Sequence, residues 1–228
     1  MRSRQFSFLC LLDEITRKLQ NGQLHQGDPI SSDAELAKEL HLSKSAVRDA
    51  IRDLNTVGIL SSSKEDGNYL EGNMSEGMRK SLHVLLLLKE VSPFEVCQMR
   101  RAMEIIAFPL AFARRDELDI PELENLLYQI QCGSILDNIC ADEASHMWLM
   151  AASGNHLMES IMQSIWGICS TQVNLILSGG TELVRQKLAD AHTQLYKSFV
   201  LEDMEMGLNA IDLHYQIIEQ VLEERNLG

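Results

Sequence analysis

Asp142 and His146 stand four residues apart in the stretch Asp142-Glu143-Ala144-Ser145-His146. On a helix this spacing puts a carboxylate and an imidazole on one face, able to reach one ion together. Alone, such a pair is more often a surface hydrogen bond than a metal site. His192 lies in the apolar-periodic run Leu188 to Phe199, and His214 in the run Leu208 to Leu222. Helical periodicity turns both toward a core. A lone inward histidine is ordinarily a core residue with a hydrogen-bond partner. Three of them with a carboxylate are harder to bury separately, because each unpaired polar group in a core costs on the order of a few kcal/mol. One divalent metal ion would satisfy all four. Three imidazoles and a carboxylate suit zinc or nickel, or another first-row ion, better than magnesium or calcium, which prefer oxygen shells. An octahedral ion would keep about two open positions, which a small carboxylate or hydroxy acid can fill.

A second constellation carries positive charge. Lys44, Arg48 and Arg52 recur every four residues and form one cationic stripe, while Val47, Ala50, Ile51 and Leu54 form the apolar stripe behind it. Ser45, one residue past the start of the same helix, points the same way. Cations and a hydroxyl near a helix N-terminus are what a recognition helix offers to base edges and phosphates in a DNA groove, with Arg48 the foremost contact. The plain alternative is a solvated face in which these cations pair with Asp49 and Asp53. Bulk charge does not favour DNA. The chain carries net -13 at pH 7, and residues 1–73 hold 9 Lys or Arg against 11 Asp or Glu. Affinity therefore has to come from the local stripe, from Lys64, Gly67 and Asn68 in the following hairpin, from Arg2 and Arg4, and from doubling in a homodimer.

The elements that must position these groups fall into two parts. Residues 1–73 predict helices over about Phe6–Asn21, Asp33–His41 and Lys44–Val57, then two short strands at Ile59-Leu60 and Asn68-Tyr69-Leu70 around a Gly67-containing loop. Ser32 with Glu35 is a capping-box pattern, Ser43 is a good N-cap, and Gly58 stops the third helix. Helix, helix, tight turn, helix, hairpin is the order of a winged helix-turn-helix. Residues 74–228 predict about six helices: Ser75–Glu90, Pro93–Arg115, Pro121–Gln131, Ala141–Ala152, His156–Leu177, and Thr181–Leu222 with a break near Leu201-Glu202-Asp203. The fold class expected is mainly α: an α+β winged helix-turn-helix followed by an all-α helical-bundle effector domain that also dimerises.

Two family resemblances follow from these residues. Gly27 through Ala37 and Leu42 through Leu54, above all Glu35-Leu36-Ala37 and Ser43 to Leu54, resemble the winged helix-turn-helix of GntR-family regulators, with the wing matched by Gly58 to Leu60 and Gly67 to Leu70. Ala34 stands where many members have arginine, and Lys44 where they usually have one, so a forked guanine reader is replaced by a point charge. In the second part Asp142-x-x-x-His146, Ala152 to Leu157, His192, Asp203 and His214 resemble the all-helical FCD effector domain of the FadR-like branch. The resemblance implies that Asp142, His146, His192 and His214 hold a divalent ion. It also implies that Arg100 faces the cavity and grips an effector carboxylate, the alternative being a pair with Glu104 at i+4. Ser145 replaces the phenylalanine usual before the second ligand.

The combined expectation is a cytoplasmic, homodimeric repressor that binds double-stranded operator DNA and changes its operator affinity when a small organic acid meets the metal. A metal-dependent hydrolase or lyase is the competing reading, since open coordination positions also activate water. An architectural DNA-binding protein with a structural metal is the third. The five cysteines form no C-x-x-C pair, which argues against a disulfide framework or zinc ribbon and for a reducing compartment. The apolar run Val84 to Leu88 is too short to span a bilayer, and no leader is expected at Met1-Arg2-Ser3-Arg4.

Overall fold

The computed structural model describes residues 4–63, 67–73 and 75–225, with side chains for all of these except Glu76, 167–175 and 177. Two compact units form, Met1–Met78 and Arg79–Gly228.

The first unit contains α1 (Arg4–Gln20), α2 (Asp33–Glu39), α3 (Lys44–Thr56) and an antiparallel hairpin of β1 (Leu60–Ser63) and β2 (Gly67–Leu70). In the hairpin Leu60 pairs with Leu70 and Ser63 with Gly67. The apolar stripe of α3, Val47, Ala50, Ile51 and Leu54, is buried against Leu11 and Ile15 of α1, Leu36 of α2, and Leu60 and Leu70 of the hairpin. The capping box at Ser32 and Glu35 forms, and Ser43 accepts from the Ala46 amide at the start of α3. The second helix ends two residues before the expected His41. His41 takes a left-handed φ of 51° there, which turns the chain into α3.

Helix α4 (Ser75–Leu87) begins in the last residues of the first unit and runs into the second, which is all helical: α5 (Pro93–Ala113), a 3-10 turn Arg115–Glu117, α6 (Ile120–Cys132), α7 (Ile135–Ala152), α8 (His156–Gly179), α9 (Glu182–Val200) and α10 (Met204–Glu224) follow. Two expected boundaries shift, and one expected break is present. The helix expected from Ala141 starts at Ile135, because Ser134 and Asp137 form a full capping box six residues earlier. Helix α4 stops at Leu87 rather than Glu90, with Lys89 at φ 60°. The break expected near 201–203 separates two helices, with Glu202 at φ 55° and the Asp203 side chain accepting from the Met206 amide.

The core of this unit joins α5, α7, α8, α9 and α10 through Phe108, Met150, Met162, Phe199 and Ile211. Close approach of α5 and α10 depends on Gly207, where a Cβ would lie 2.0 Å from Phe108 Cζ. This approach sets α10 against α5, and the polar groups of the bundle interior converge from α5, α7, α9 and α10.

Candidate functional site

Helix α7 supplies Asp142 and His146, α9 supplies His192, and α10 supplies His214. All four are buried, at 4, 4, 6 and 4 % exposure. One nitrogen or oxygen from each lies within 4.8 Å of the others. Donor atoms bound at about 2.0–2.2 Å to one ion lie at most about 4.4 Å apart, so the cluster is close to the size an ion requires. His192 Nε2 is 2.9 Å from Asp142 Oδ1, and His146 Nε2 is 3.6 Å from Asp142 Oδ2. His146 Nε2 has no hydrogen-bond partner, and neither ring nitrogen of His214 has one. Buried polar atoms are rarely left so, because each costs about 1–3 kcal/mol. These orphaned nitrogens around a carboxylate fit a divalent cation bound by all four residues.

The surroundings hold the histidines in place. Glu104 of α5, only 1 % exposed, has its Oε1 2.8 Å from His146 Nδ1 and accepts a 2.5 Å hydrogen bond from the Tyr215 hydroxyl. A metal-ligating histidine whose other nitrogen donates to a carboxylate is a recurrent arrangement, fixing both tautomer and ring orientation. Ser145 Oγ donates to the Asp142 carbonyl at 2.7 Å and lies 3.3 Å from His192 Nδ1.

Charge in this interior is strongly coupled. Burial opposes ionisation of Asp142, but His146 and His192 outweigh it and hold its carboxyl well below the usual carboxylate range. Burial likewise disfavours the His146 imidazolium, yet the Glu104 charge overrides this and pushes its pKa up to about 9. Burial, reinforced by neighbouring imidazoles, drives His214 well below the ordinary histidine value. Burial and the Asp142 charge raise the Glu143 carboxyl to about 7. The cluster is built around excess negative charge that a proton or a metal can neutralise.

A cavity of about 10 Å³ lies beside the cluster, lined by Glu104, His146, Ala191, His192, Leu195, Ala210, Ile211 and His214. This is room for about one water and not for an organic acid. Arg100, the expected effector contact, is buried at 4 % but is absent from that lining. Its guanidinium sits 5.8 Å from the Tyr215 ring centroid, and its charge helps lower the Glu104 carboxyl. Arg100 thus belongs to the network behind His146 rather than to an open acid pocket.

In the first unit the expected DNA contacts divide. Lys44, Arg48, Gly67 and Asn68 meet around one open recess of about 540 Å³, together with Ile30 to Ala34 at the start of α2. Ser45 lines a different recess with Arg4, Ser43 and Asp49, and its hydroxyl lies 3.0 Å from that of Ser43. Arg52 is exposed and pairs with Asp49 at 3.2 Å. Arg48 reaches Asp33 only at 4.0 Å, and Arg4 makes a forked pair with Asp53. Exposed pairs of this kind are worth little and exchange readily for phosphate. Asn68 is also structural: its side chain accepts from Ser62 Oγ, which in turn accepts from Asn55, linking hairpin to α3. Lys64 and Arg2 lie outside the described residues.

Sequence reasoning missed the roles of Tyr215 and Ser145 and treated Glu104 only as a neighbour of Arg100. The one signal was the inward periodicity of Glu104 on α5.

Comparison with known proteins agrees with this architecture. The profile of the FCD domain matches residues 95–217, more than half of the chain. The HTH-type transcriptional regulator LutR of Bacillus subtilis is 27% identical over 213 residues, covering 90% of this chain and 95% of LutR. A second B. subtilis HTH-type regulator, YcbG, is 24% identical over 155 residues, 68% of this chain and 65% of YcbG. Among solved structures, Streptococcus agalactiae GntR covers 96% of this chain and 100% of its own with a TM-score of 0.59 at 20% identity, a likeness of fold.

Proposed function

This chain belongs to the GntR-family transcriptional regulators that carry an FCD domain, and on that premise we propose that it is a homodimeric repressor whose operator affinity is set by a divalent metal and a small organic acid. The observation that carries this reading is the buried Asp142, His146, His192 and His214 cluster, with three histidine nitrogens that have no hydrogen-bond partner. Zinc or nickel suits this donor set. Bound there, the ion would supply a Lewis-acid anchor for a carboxylate or hydroxyl.

The chain's own residues would then transmit occupancy. A carboxylic acid needs more space than the 10 Å³ beside the cluster, so its binding requires α5 and its neighbours to part. A ligand that fits only the opened state shifts the population toward it. Arg100 is the residue we assign to the acid's carboxylate, released from its place beside Tyr215 and Glu104 as the cavity opens. We assign Lys44, Ser45, Arg48, Arg52, Lys64, Gly67 and Asn68 to operator DNA, with Arg48 foremost.

Dimerisation is supported by an exposed apolar stripe on α5, where Met99, Ile106 and Leu110 are 48, 59 and 42 % exposed, and by Leu87 and Leu88 at 71 and 64 %. Such a stripe is self-complementary across a two-fold axis. Two copies would also compensate for the weak local charge of a single head.

The test is operator binding. Duplexes selected from a random pool by the zinc-loaded chain are titrated by fluorescence anisotropy with and without a panel of small hydroxy and keto acids. At least one acid is expected to change the Kd about 5- to 150-fold, the range of ordinary allosteric coupling. No change with any acid would contradict the ligand-responsive reading.

A further inference from the structure

Helix α7 carries one more buried carboxyl than the metal cluster uses. Glu143 follows Asp142, is 6 % exposed, and its Oε1 has no hydrogen-bond partner among the described residues. The Arg100 guanidinium is buried in the same interior and close enough to act on the charge of Glu143, yet it donates nothing to that oxygen. A buried acceptor and a buried cation that stay apart leave room for a third body that answers both. Resting on the acid-binding reading above, we infer that Glu143 determines which acid the interior takes: its Oε1 accepts from an amino or hydroxyl group that the effector carries beside the carboxylate held by Arg100.

The placement follows from helix geometry. At roughly 100° per residue, His146 falls between Asp142 and Glu143 around α7. Asp142 meets His192 of α9, and His146 meets Glu104 of α5, so Glu143 continues the turn toward the α5 side. Arg100 lies one turn before Glu104 on the same face of α5, and α5 packs against α7. Parting α5 from α7 therefore opens a space with Arg100 on one wall and Glu143 on the other.

The two walls ask for different ends of one small molecule. A plain carboxylic acid satisfies Arg100 and leaves the Glu143 oxygen unpaired beside a second carboxylate. An oxo acid brings that oxygen another acceptor. An amino or hydroxy acid brings it a donor. Acceptance does not hinge on the charge of Glu143, because a carboxyl, ionised or protonated, keeps an oxygen lone pair. Sites built to hydrogen-bond a ligand OH or NH reject the analogue that lacks it, since their own buried group is then left without a partner. A bound ion also favours a hydroxyl, but it acts from the Asp142 side of α7, so substitution at Glu143 separates the two contributions.

The test titrates the zinc-loaded full-length wild type, Glu143→Leu and Glu143→Gln by calorimetry. The probes are sets of short mono- and dicarboxylic acids of equal chain length, with hydrogen, oxo, hydroxyl or amino at the carbon next to the carboxylate. In wild type the hydroxy or amino member of a set is expected to bind about 5- to 150-fold tighter than the unsubstituted and oxo members. Glu143→Leu removes the acceptor and should abolish that preference. Glu143→Gln keeps an acceptor without the charge, so it should retain a preference for hydroxyl but lose most of one for ammonium, which tells the two donors apart. Melting temperature and zinc stoichiometry show that each variant is folded. Replacing an orphaned polar group by an apolar one of similar size costs little stability. Equal or tighter wild-type binding of the unsubstituted or oxo member would overturn the inference, as would a donor preference that survives in Glu143→Leu, which would belong to the ion. A wild type that binds none of the acids would contradict the acid-responsive reading itself, a different outcome from binding without preference.

Discussion

Asp142, His146, His192 and His214 are all at least 94 % buried, whereas Lys44, Ser45, Arg48 and Arg52 are all exposed. Both sets include polar groups short of strong partners, such as His214 in the one and Arg48 in the other, but water changes what that means. On α3 the cations are hydrated and held by loose pairs such as Arg48 with Asp33 at 4.0 Å, so they can be given up to a phosphate at little cost. Inside the bundle an unpartnered nitrogen has no water to fall back on, and it destabilises the protein until a ligand arrives. The DNA face is a surface waiting to be covered, and the interior cluster is an incompletely satisfied core. Ligand binding should therefore stabilise the second unit strongly, while DNA contacts can be removed from the first with little effect on folding.

The largest break in this comparison comes from His214→Leu. Removing one of four ligands should cost more than the 10- to 100-fold associated with outer partners, seen as loss of zinc binding in chelator competition. The zinc-free variant should nevertheless be more stable than zinc-free wild type by about 1–3 kcal/mol, because an orphaned buried imidazole has been replaced by an apolar group of similar size. Denaturant melts check the sign. Loss of stability would mean that His214 already has the partners it needs.

Arg48→Ala should do the opposite. Operator affinity falls by about 1–3 kcal/mol in anisotropy titrations, while the melting temperature and zinc affinity stay at wild-type levels. Unchanged operator affinity would remove Arg48 from the interface.

The smallest expected effect is a pH window. The folded pKa of His146, about 9, lies above the 6.5 of an unperturbed imidazole. Its contribution to the stability of the zinc-free chain is therefore complete below about pH 6.5 and is lost as pH rises through about 9. Glu104→Gln removes the charge that raises this pKa and should flatten the decline between pH 6.5 and 9 in melting temperatures, whereas Arg48→Ala should leave it intact.

The same contrast explains what was legible in the sequence. Asp142 and His146 could be paired from i, i+4 spacing, and His192 and His214 from the apolar runs around them, because burial imposes a period. The α3 stripe was readable for the same reason, as the back of a buried Val47, Ala50, Ile51, Leu54 face. Tyr215 and Glu104 meet from positions 111 residues apart, and nothing in either residue type marks the contact. The hydroxyl of Ser145 was read as the absence of an aromatic ring, since its geometry to His192 depends on how α7 packs against α9. Helix ends were displaced where ordinary residues, His41 and Lys89, take left-handed conformations that side-chain type does not announce. The early start of α7 was visible in Ser134 and Asp137 but lay outside the apolar period.

The most direct test of the account is a zinc titration of metal-free protein followed by X-ray absorption at the zinc edge. Saturation is expected at one ion per chain, with a shell of three imidazole nitrogens and oxygen at about 2.0–2.2 Å that is lost in His214→Leu. Absence of stoichiometric binding, or a shell unchanged by His214→Leu, would contradict it.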